Sequence, residues 1–524
     1  MTNFLSKPIA FIKAHPKADI ALLITLLVIF AVITLFHITN AAIWFDEAFT
    51  SYLVQFNFID IARYTATDVH PPLYYWALKA WTMVFGSGEF GLRSMSIFFA
   101  AVTIVVTFFL TRKMFGRKVA LVSLVFLSLS PMLIRYSDEA RMYTMAAFIV
   151  MSATYLLLKA TENNQRKWWV YYGILVGLGM WTHYFTALLW LSHWAWRAWS
   201  TYRVGSTLKA WRQRFFTKDW VVAHIVAIGV FLPWLYFMAK QLTIVQAAGF
   251  WIGPVSLDTP TNYFTNIFYY LEHNQAQGWF ALALITIIVL VIILIPKVYK
   301  SLSQSEKSKF ILISSLAWVP PILLFLASLP PLRSSFVDRY LIPAIIGLMV
   351  FVAVVLVVGT KKWRPVFRTL PILLIIGMMI FGITNVYKYG NYNQNTGYHI
   401  VTRELIKDID AVAKPGEPII ADTPWNFYEA VPYSTAEHPV YFIDANNEYV
   451  FGSLDMLKDN DMHKIKDIDA FAKEHPIVWY FGQAESGDIA PFKDSWVKIQ
   501  TVSYYDSLVD KSINRATQYR INAE

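Results

Sequence analysis

The chain has 524 residues, 56% hydrophobic and only 15% charged, against about 25% charged in ordinary soluble domains; apolar runs of roughly 20 residues, each able to cross about 30 Å of hydrocarbon as a helix, recur along most of it. A soluble enzyme is excluded, and continuous runs such as Ala21 to Leu35 and Ala344 to Gly359 exclude an outer-membrane barrel, whose strands alternate over about 10 residues. The net charge of +10 reads as a cytoplasmic fringe of Lys and Arg, not as a nucleic-acid surface, and the lack of cysteine removes disulfides, thiolate metal sites and a catalytic thiol.

Lys7, Lys13 and Lys17 precede an apolar run longer than a signal-peptide core of about 7–15 residues, so an uncleaved first helix is expected at about 19–39. The next segment, 40–90, is acidic, with Asp46, Glu47, Asp60, Asp68 and Glu89. A second span at about 91–111 ends in Arg112, Lys113, Arg117 and Lys118, a cluster that belongs inside and so places 40–90 outside. Spans follow at about 119–135 and 142–159, and the stretch Trp168–Trp199 splits into two at Thr182–His183–Tyr184 near the outer face. After the basic inner loop of Arg203, Lys209, Arg212, Arg214 and Lys218 comes a span at about 219–239, then an outer loop to about 276. Further spans at about 277–296, 310–329, 338–359 and 369–388 bring the count to about 11, with the N-terminus cytoplasmic and the C-terminus outside. The expected architecture is an all-α polytopic domain over 1–389, in the cytoplasmic (plasma) membrane, followed by an extracytoplasmic α/β domain over 390–524. In the latter, Pro418–Ala421, Val440–Ile443 and Ile477–Phe481 read as strands, and Val401–Ala413 and Asp467–Ala472 as amphipathic stretches.

Four features on the expected outer side carry the chemistry. Asp46 and Glu47 stand within a few residues of the first span, where carboxylates are costly and suggest function, although Asp also serves as a helix N-cap. His70–Pro71–Pro72–Leu73 forms a turn in which two prolines define the imidazole's direction, although taken alone an interfacial aromatic belt with an incidental His is the commoner reading. In Tyr136–Ser137–Asp138–Glu139–Ala140–Arg141–Met142–Tyr143, the spacing puts Glu139 and Tyr143 on one helix face and Arg141 off it. Asp338–Arg339–Tyr340–Leu341–Ile342–Pro343 supplies another outer arginine, against the positive-inside bias and suited to an anionic ligand.

Taken together, the Asp–Glu pair after the first helix, the His-Pro-Pro-Leu motif in the same loop and the many-span body resemble the protein O-mannosyltransferases. More broadly they resemble C-type glycosyltransferases that use polyprenyl-phosphate sugars, including the aminoarabinose transferases of lipid A. Glu-Ala-Arg-Met-Tyr and Arg-Tyr-Leu-Ile-Pro are similar to segments of predicted bacterial membrane mannosyltransferases, and the likeness covers about residues 1–388. It implies the C-type fold, a polyprenyl-phosphate-sugar donor, and an acidic catalytic base in the first outer loop, by position Asp46 with Glu47 adjacent. The acceptor stays open among glycan, lipid and protein.

A phosphate leaving group needs no proton, so one general base suffices for an inverting transfer to an acceptor hydroxyl. Arg141 and Arg339 are the candidates for the phosphate, and His70, Glu139, Tyr143, His183 and Tyr340 for orienting donor or sugar. No metal is assigned by default, although Asp46, Glu47, Glu139 and His70 are residue types that suit a divalent ion. The alternative is a secondary transporter or a lipid- or polysaccharide-translocating protein, whose charges belong near the bilayer midplane; here the spans are nearly free of charge.

Overall fold

A computed structural model describes residues 17–163, 165–248, 252–271, 277–389, 392–393, 398–399, 401–443, 454–458, 462–484, 488–505 and 514–521. Lys7 and Lys13, expected ahead of the first span, lie outside the described residues, as does part of the 240–276 loop. The helices run α1 Lys17–His37, α2 Phe45–Leu53, α3 Phe58–Ala66, α4 Leu73–Phe85, α5 Glu89–Phe115, α6 Arg117–Ser128, α7 Pro131–Ser137, α8 Tyr143–Asn163, α9 Arg166–Thr182, α10 Thr186–Thr201 and α11 Leu208–Phe215. Then follow α12 Lys218–Ala248, α13 Thr259–Tyr269, α14 Gly278–Ser301, α15 Gln304–Ala327, α16 Ile342–Gly359 and α17 Pro365–Tyr389.

Among the described residues, eight helices are long and apolar enough to cross a membrane, or nine if the bent pair α6 and α7 is one span. That pair corrects the expectation of one straight helix at 119–135, because the chain turns by 52° between them. Ser130 caps α7 through the Leu133 amide at 3.4 Å, with Pro131 in its first turn, and a proline there starts a new helix rather than continuing the old one. Helices α9 and α10, 17 and 16 residues long, fall at or below the short end of the roughly 17–25 residues that span a bilayer. Two expected loops also carry helices: α2, α3 and α4 occupy 40–90, and α13 lies within 240–276.

The span containing α16 is the most enclosed, 94% buried along its apolar window, while only 22% of the corresponding window of α1 or α14 is covered by protein. Ile24, Val28, Val32 and Phe36 on α1 and Ile285, Val289, Ile292 and Ile293 on α14 are exposed, as expected of surfaces whose solvent is hydrocarbon. Helices α9 and α12 approach closely at two glycines: a Cβ on Gly173 would lie 2.2 Å from the Ala223 carbonyl oxygen, and one on Gly177 2.7 Å from the Val230 side chain. Small residues at such crossings let helix backbones meet in a membrane. At the end of α5 far from Glu89, about 40 Å along a helix of this length, Arg112 and Arg117 both hold the buried Asp19 of α1, at 2.5 and 2.7 Å.

Beyond α17 come a two-residue pair, β1 Tyr392–Asn393 and β2 Tyr398–His399, and then a six-stranded sheet. Its elements are α18 Thr402–Val412, β3 Ile419–Ala421, α19 Pro424–Ala430, β4 Val440–Ile443, α20 Leu454–Lys458, β5 Lys464–Ile465, α21 Ile468–Glu474, β6 Ile477–Gln483, β7 Val497–Ser503 and β8 Asn514–Arg520. The order is β5-β4-β3-β6-β8-β7, parallel from β5 to β6 and antiparallel from β6 to β7. The three apolar runs read as strands are β3, β4 and β6, the central ones. The other three lack an apolar run: β5 is only two residues long, β7 is polar and largely exposed, and β8, although mostly buried, is mostly polar in sequence.

Candidate active site

Helix α2 begins at Phe45, so Asp46 and Glu47 sit side by side in its first turn, where the helix dipole favours negative charge. Trp44 holds the N-cap position without a side-chain bond, so neither carboxylate is a cap. Successive residues of a helix point about 100° apart, and here the two acids face different surroundings. Glu47 is buried against Arg93 of α5, which donates to it at 2.8 and 2.6 Å, and it accepts a third bond from the Ala140 amide at 2.9 Å. Arg93 spends its other donors on the carbonyls of Ile38, Ala41 and Ala42.

Asp46 instead keeps 20% of its side chain exposed and faces two guanidiniums, Arg339 Nη2 at 3.5 Å and Arg141 Nε at 3.9 Å, both from Oδ2. Burial alone would raise its pKa, but Arg141, then Arg339 and His70, hold it below the usual carboxylate range. With two cations around one anion, the site carries an excess of positive charge.

Arg141 is fixed by long bonds from Nη1 to the Tyr75 hydroxyl, the Asp46 carbonyl and the Thr50 hydroxyl, at 3.3, 3.4 and 3.5 Å, and from Nη2 to His70 Nε2 at 3.4 Å. Since arginine only donates, Nε2 of His70 accepts, leaving Nδ1 to donate to Asp68 at 3.3 Å. Burial, reinforced by Arg141 and opposed by Asp68, lowers the His70 pKa. The two prolines that follow it, Pro71 and Pro72, lead directly into α4, with Pro72 at the N-cap position.

The remaining candidates form an aromatic wall. The Tyr340 ring stacks on Phe185 at 4.7 Å and lies 5.0 Å from His183, which in turn is 5.8 Å from His70 and 5.9 Å from Tyr143. His183 is buried, and its Nδ1 accepts from the Phe185 amide at 3.3 Å. Arg339 lies over the Trp44 ring at 5.6 Å.

One expectation needs correction. Glu139 precedes α8 instead of lying in it, so its four-residue spacing from Tyr143 defines no helix face. It is ion-paired to Arg135 at 3.0 Å, and burial raises its pKa. Asp46, Glu47, Glu139 and His70 therefore do not converge as one ligand set, and among the described residues no group of three or more His, Asp or Glu side chains is placed to hold a metal ion. Arg93, Tyr75, Asp68 and Trp44 were not anticipated; the outer position of Arg93, at the start of a span, was the one available signal.

The fold has counterparts among solved structures. ArnT from Cupriavidus metallidurans bound to undecaprenyl phosphate aligns over 95% of this chain and 97% of its own at 13% identity, with a TM-score of 0.53. Its apo form gives 14% and 0.55 at the same coverage. This is the C-type membrane glycosyltransferase fold. A C-type architecture is also shared with the apo oligosaccharyltransferase of Archaeoglobus fulgidus, at 12% identity and a TM-score of 0.51 over 89% of this chain and 69% of that one. Residues 69–237 match the family model of dolichyl-phosphate-mannose-protein mannosyltransferases, a stretch that includes His70, Glu139, Arg141, Tyr143 and His183. No curated protein sequence matches the chain. The eight or nine apolar helices of membrane-crossing length among the described residues make the protein multi-pass, and the candidate residues lie near the starts of α2, α4, α8 and α16, at one end of these helices.

Proposed function

We propose that the protein transfers a sugar from a polyprenyl monophosphate to an acceptor hydroxyl on the outer face of the cytoplasmic membrane, inverting the anomeric centre, with Asp46 as general base. The observation that carries this reading is the division of labour between adjacent carboxylates. Glu47 is consumed by Arg93, whereas Asp46 is partly open, ionised and flanked by Arg141 and Arg339. The undecaprenyl phosphate bound by ArnT and the dolichyl-phosphate mannose of the family model support the donor class.

In this mechanism the donor phosphate lies on the two guanidiniums, which relieves Asp46 of its ion pairs. The acceptor O–H gives its proton to an Asp46 carboxylate oxygen as its oxygen forms a bond to the anomeric carbon. The bond from that carbon to the phosphate oxygen breaks, and its electron pair leaves with the polyprenyl phosphate, whose developing charge the arginines stabilise. His70 holds Arg141, and Tyr143, His183 and Tyr340 wall the sugar site. The isoprenoid tail stays in hydrocarbon, beside 11 helical crossings with the N-terminus inside; residues 390–524 sit outside as a separate α/β domain.

The test is reconstitution of the purified protein with radiolabelled polyprenyl-phosphate sugars, comparing wild type with Asp46→Asn. Consumption of a lipid-linked sugar by wild type and its loss in the variant support the reading. Solute movement across sealed vesicles without donor consumption would establish the transporter instead.

A further inference from the structure

Helix α2 carries Asp46 yet has no cap of its own, since Trp44 makes no side-chain bond to it. The segment that leads into it is held from beyond the last span. The Tyr433 hydroxyl accepts from the Ile43 amide at 2.9 Å and donates to Glu89 at 2.7 Å. Arg403 donates to the carbonyls of Thr39 and Asn40, at 2.8 and 2.9 Å, and to both oxygens of Glu89. Glu89 and Arg93 are four apart on α5, so they share a face, and Arg93 holds Ile38, Ala41, Ala42 and Glu47 from the membrane side. The segment entering α2 is thus clamped between the bundle and the C-terminal sheet. Aromatic edges close the same interface: Phe45 meets Trp425 at 5.9 Å, Phe49 meets Tyr428 at 6.0 Å and Tyr52 meets Phe427 at 5.7 Å.

We propose that Tyr433 and Arg403 are positioning residues for Asp46, which makes the C-terminal α/β unit a working part of the transfer site and not only an appendage. The inference rests on the reading of Asp46 as the base. A tethered domain has no need to bond the Ile43 amide and the Thr39 and Asn40 carbonyls, in the segment that enters the helix of that residue. An element that aims a base does, because a misplacement of about 1 Å costs on the order of 100-fold in rate. The bonds of Tyr433 and Arg403 go to Glu89, Glu404 and the entry to α2, so donor binding at Arg141 and Arg339 stays independent of the clamp.

The experiment uses the full chain in lipid nanodiscs with a labelled polyprenyl-phosphate sugar. Tyr433→Phe and Arg403→Ala lower kcat by about 10–100-fold while donor KM stays within about twofold, and Arg403→Lys, which keeps a donor for the Thr39 and Asn40 carbonyls, recovers part of the rate. Hydrogen exchange over residues 43–53 gives a second readout that needs no turnover: protection at Ile43 falls in the first two variants and persists in the third. Unchanged kcat in all three, with wild type active and Asp46→Asn inactive, overturns the inference, as does unchanged protection at Ile43. If wild type consumes no lipid-linked sugar, the transferase reading fails by itself and exchange alone decides whether the clamp exists.

Discussion

Substituting each of the two adjacent carboxylates by its amide separates chemistry from architecture. In Asp46→Asn the contacts removed are ion pairs at 3.5 and 3.9 Å around a side chain that is 20% exposed; such pairs contribute about 1 kcal/mol or less, so unfolding barely moves. Activity should fall by about 100- to 10,000-fold, the usual contribution of a general base. Donor affinity should hold or improve, because Arg141 and Arg339 lose a competitor for the phosphate. In Glu47→Gln the partner left behind is the Arg93 guanidinium, with 3% of its side chain exposed and bonds at 2.8 and 2.6 Å. Breaking a buried pair from one side costs about 3–5 kcal/mol; the three carbonyls that still hold Arg93 place the expected cost near the lower end. Thermal unfolding in detergent and initial rates of lipid-linked sugar consumption, measured on the same preparations, give the answer. If Asp46→Asn keeps its rate while Glu47→Gln loses rate with unchanged unfolding, the assignment is refuted.

Three further outcomes follow from the same geometry. Arg141→Lys should raise donor KM about 10- to 100-fold, the worth of one charge-assisted hydrogen bond of about 1.5–3 kcal/mol, because an ammonium cannot reach Tyr75, Thr50 and His70 together; steady-state kinetics over donor concentration checks it. Burial, opposed by Arg93 and Arg135, pushes the Asp138 carboxyl up to about 8. The folded chain therefore holds a proton that the unfolded chain releases above about pH 4, and stability falls as pH rises from there through about 8. Asp138→Asn should remove that part of the slope in melting curves between pH 5 and 9. Gly173→Ala, whose new methyl would meet the Ala223 carbonyl oxygen at 2.2 Å, should destabilise by about 1–3 kcal/mol while leaving the rate per folded molecule unchanged, as read by unfolding and activity together.

The membrane-spanning segments were legible in the sequence because crossing hydrocarbon is a local requirement, met within each run of about 20 residues. Motif positions were legible for a related reason: charge and imidazole stand out where spans meet water. The bend between α6 and α7 was written in Ser130–Pro131, but its 52° angle comes from the packing of both halves. The choice between Asp46 and Glu47 was not legible, since neighbours in sequence point about 100° apart on a helix and their partners, Arg93 and Arg141, lie 46 and 95 residues away. The same is true of the hold on the entry to α2, where the Tyr433 hydroxyl, 390 residues away in sequence, accepts from the Ile43 amide. Sequence by itself determined that apolar helices of membrane-crossing length recur along the chain and that carboxylates and arginines gather at one end. Only the tertiary structure decided which carboxylate stays open and what holds its helix, because burial and ion pairing depend on residues that meet only after the chain has folded.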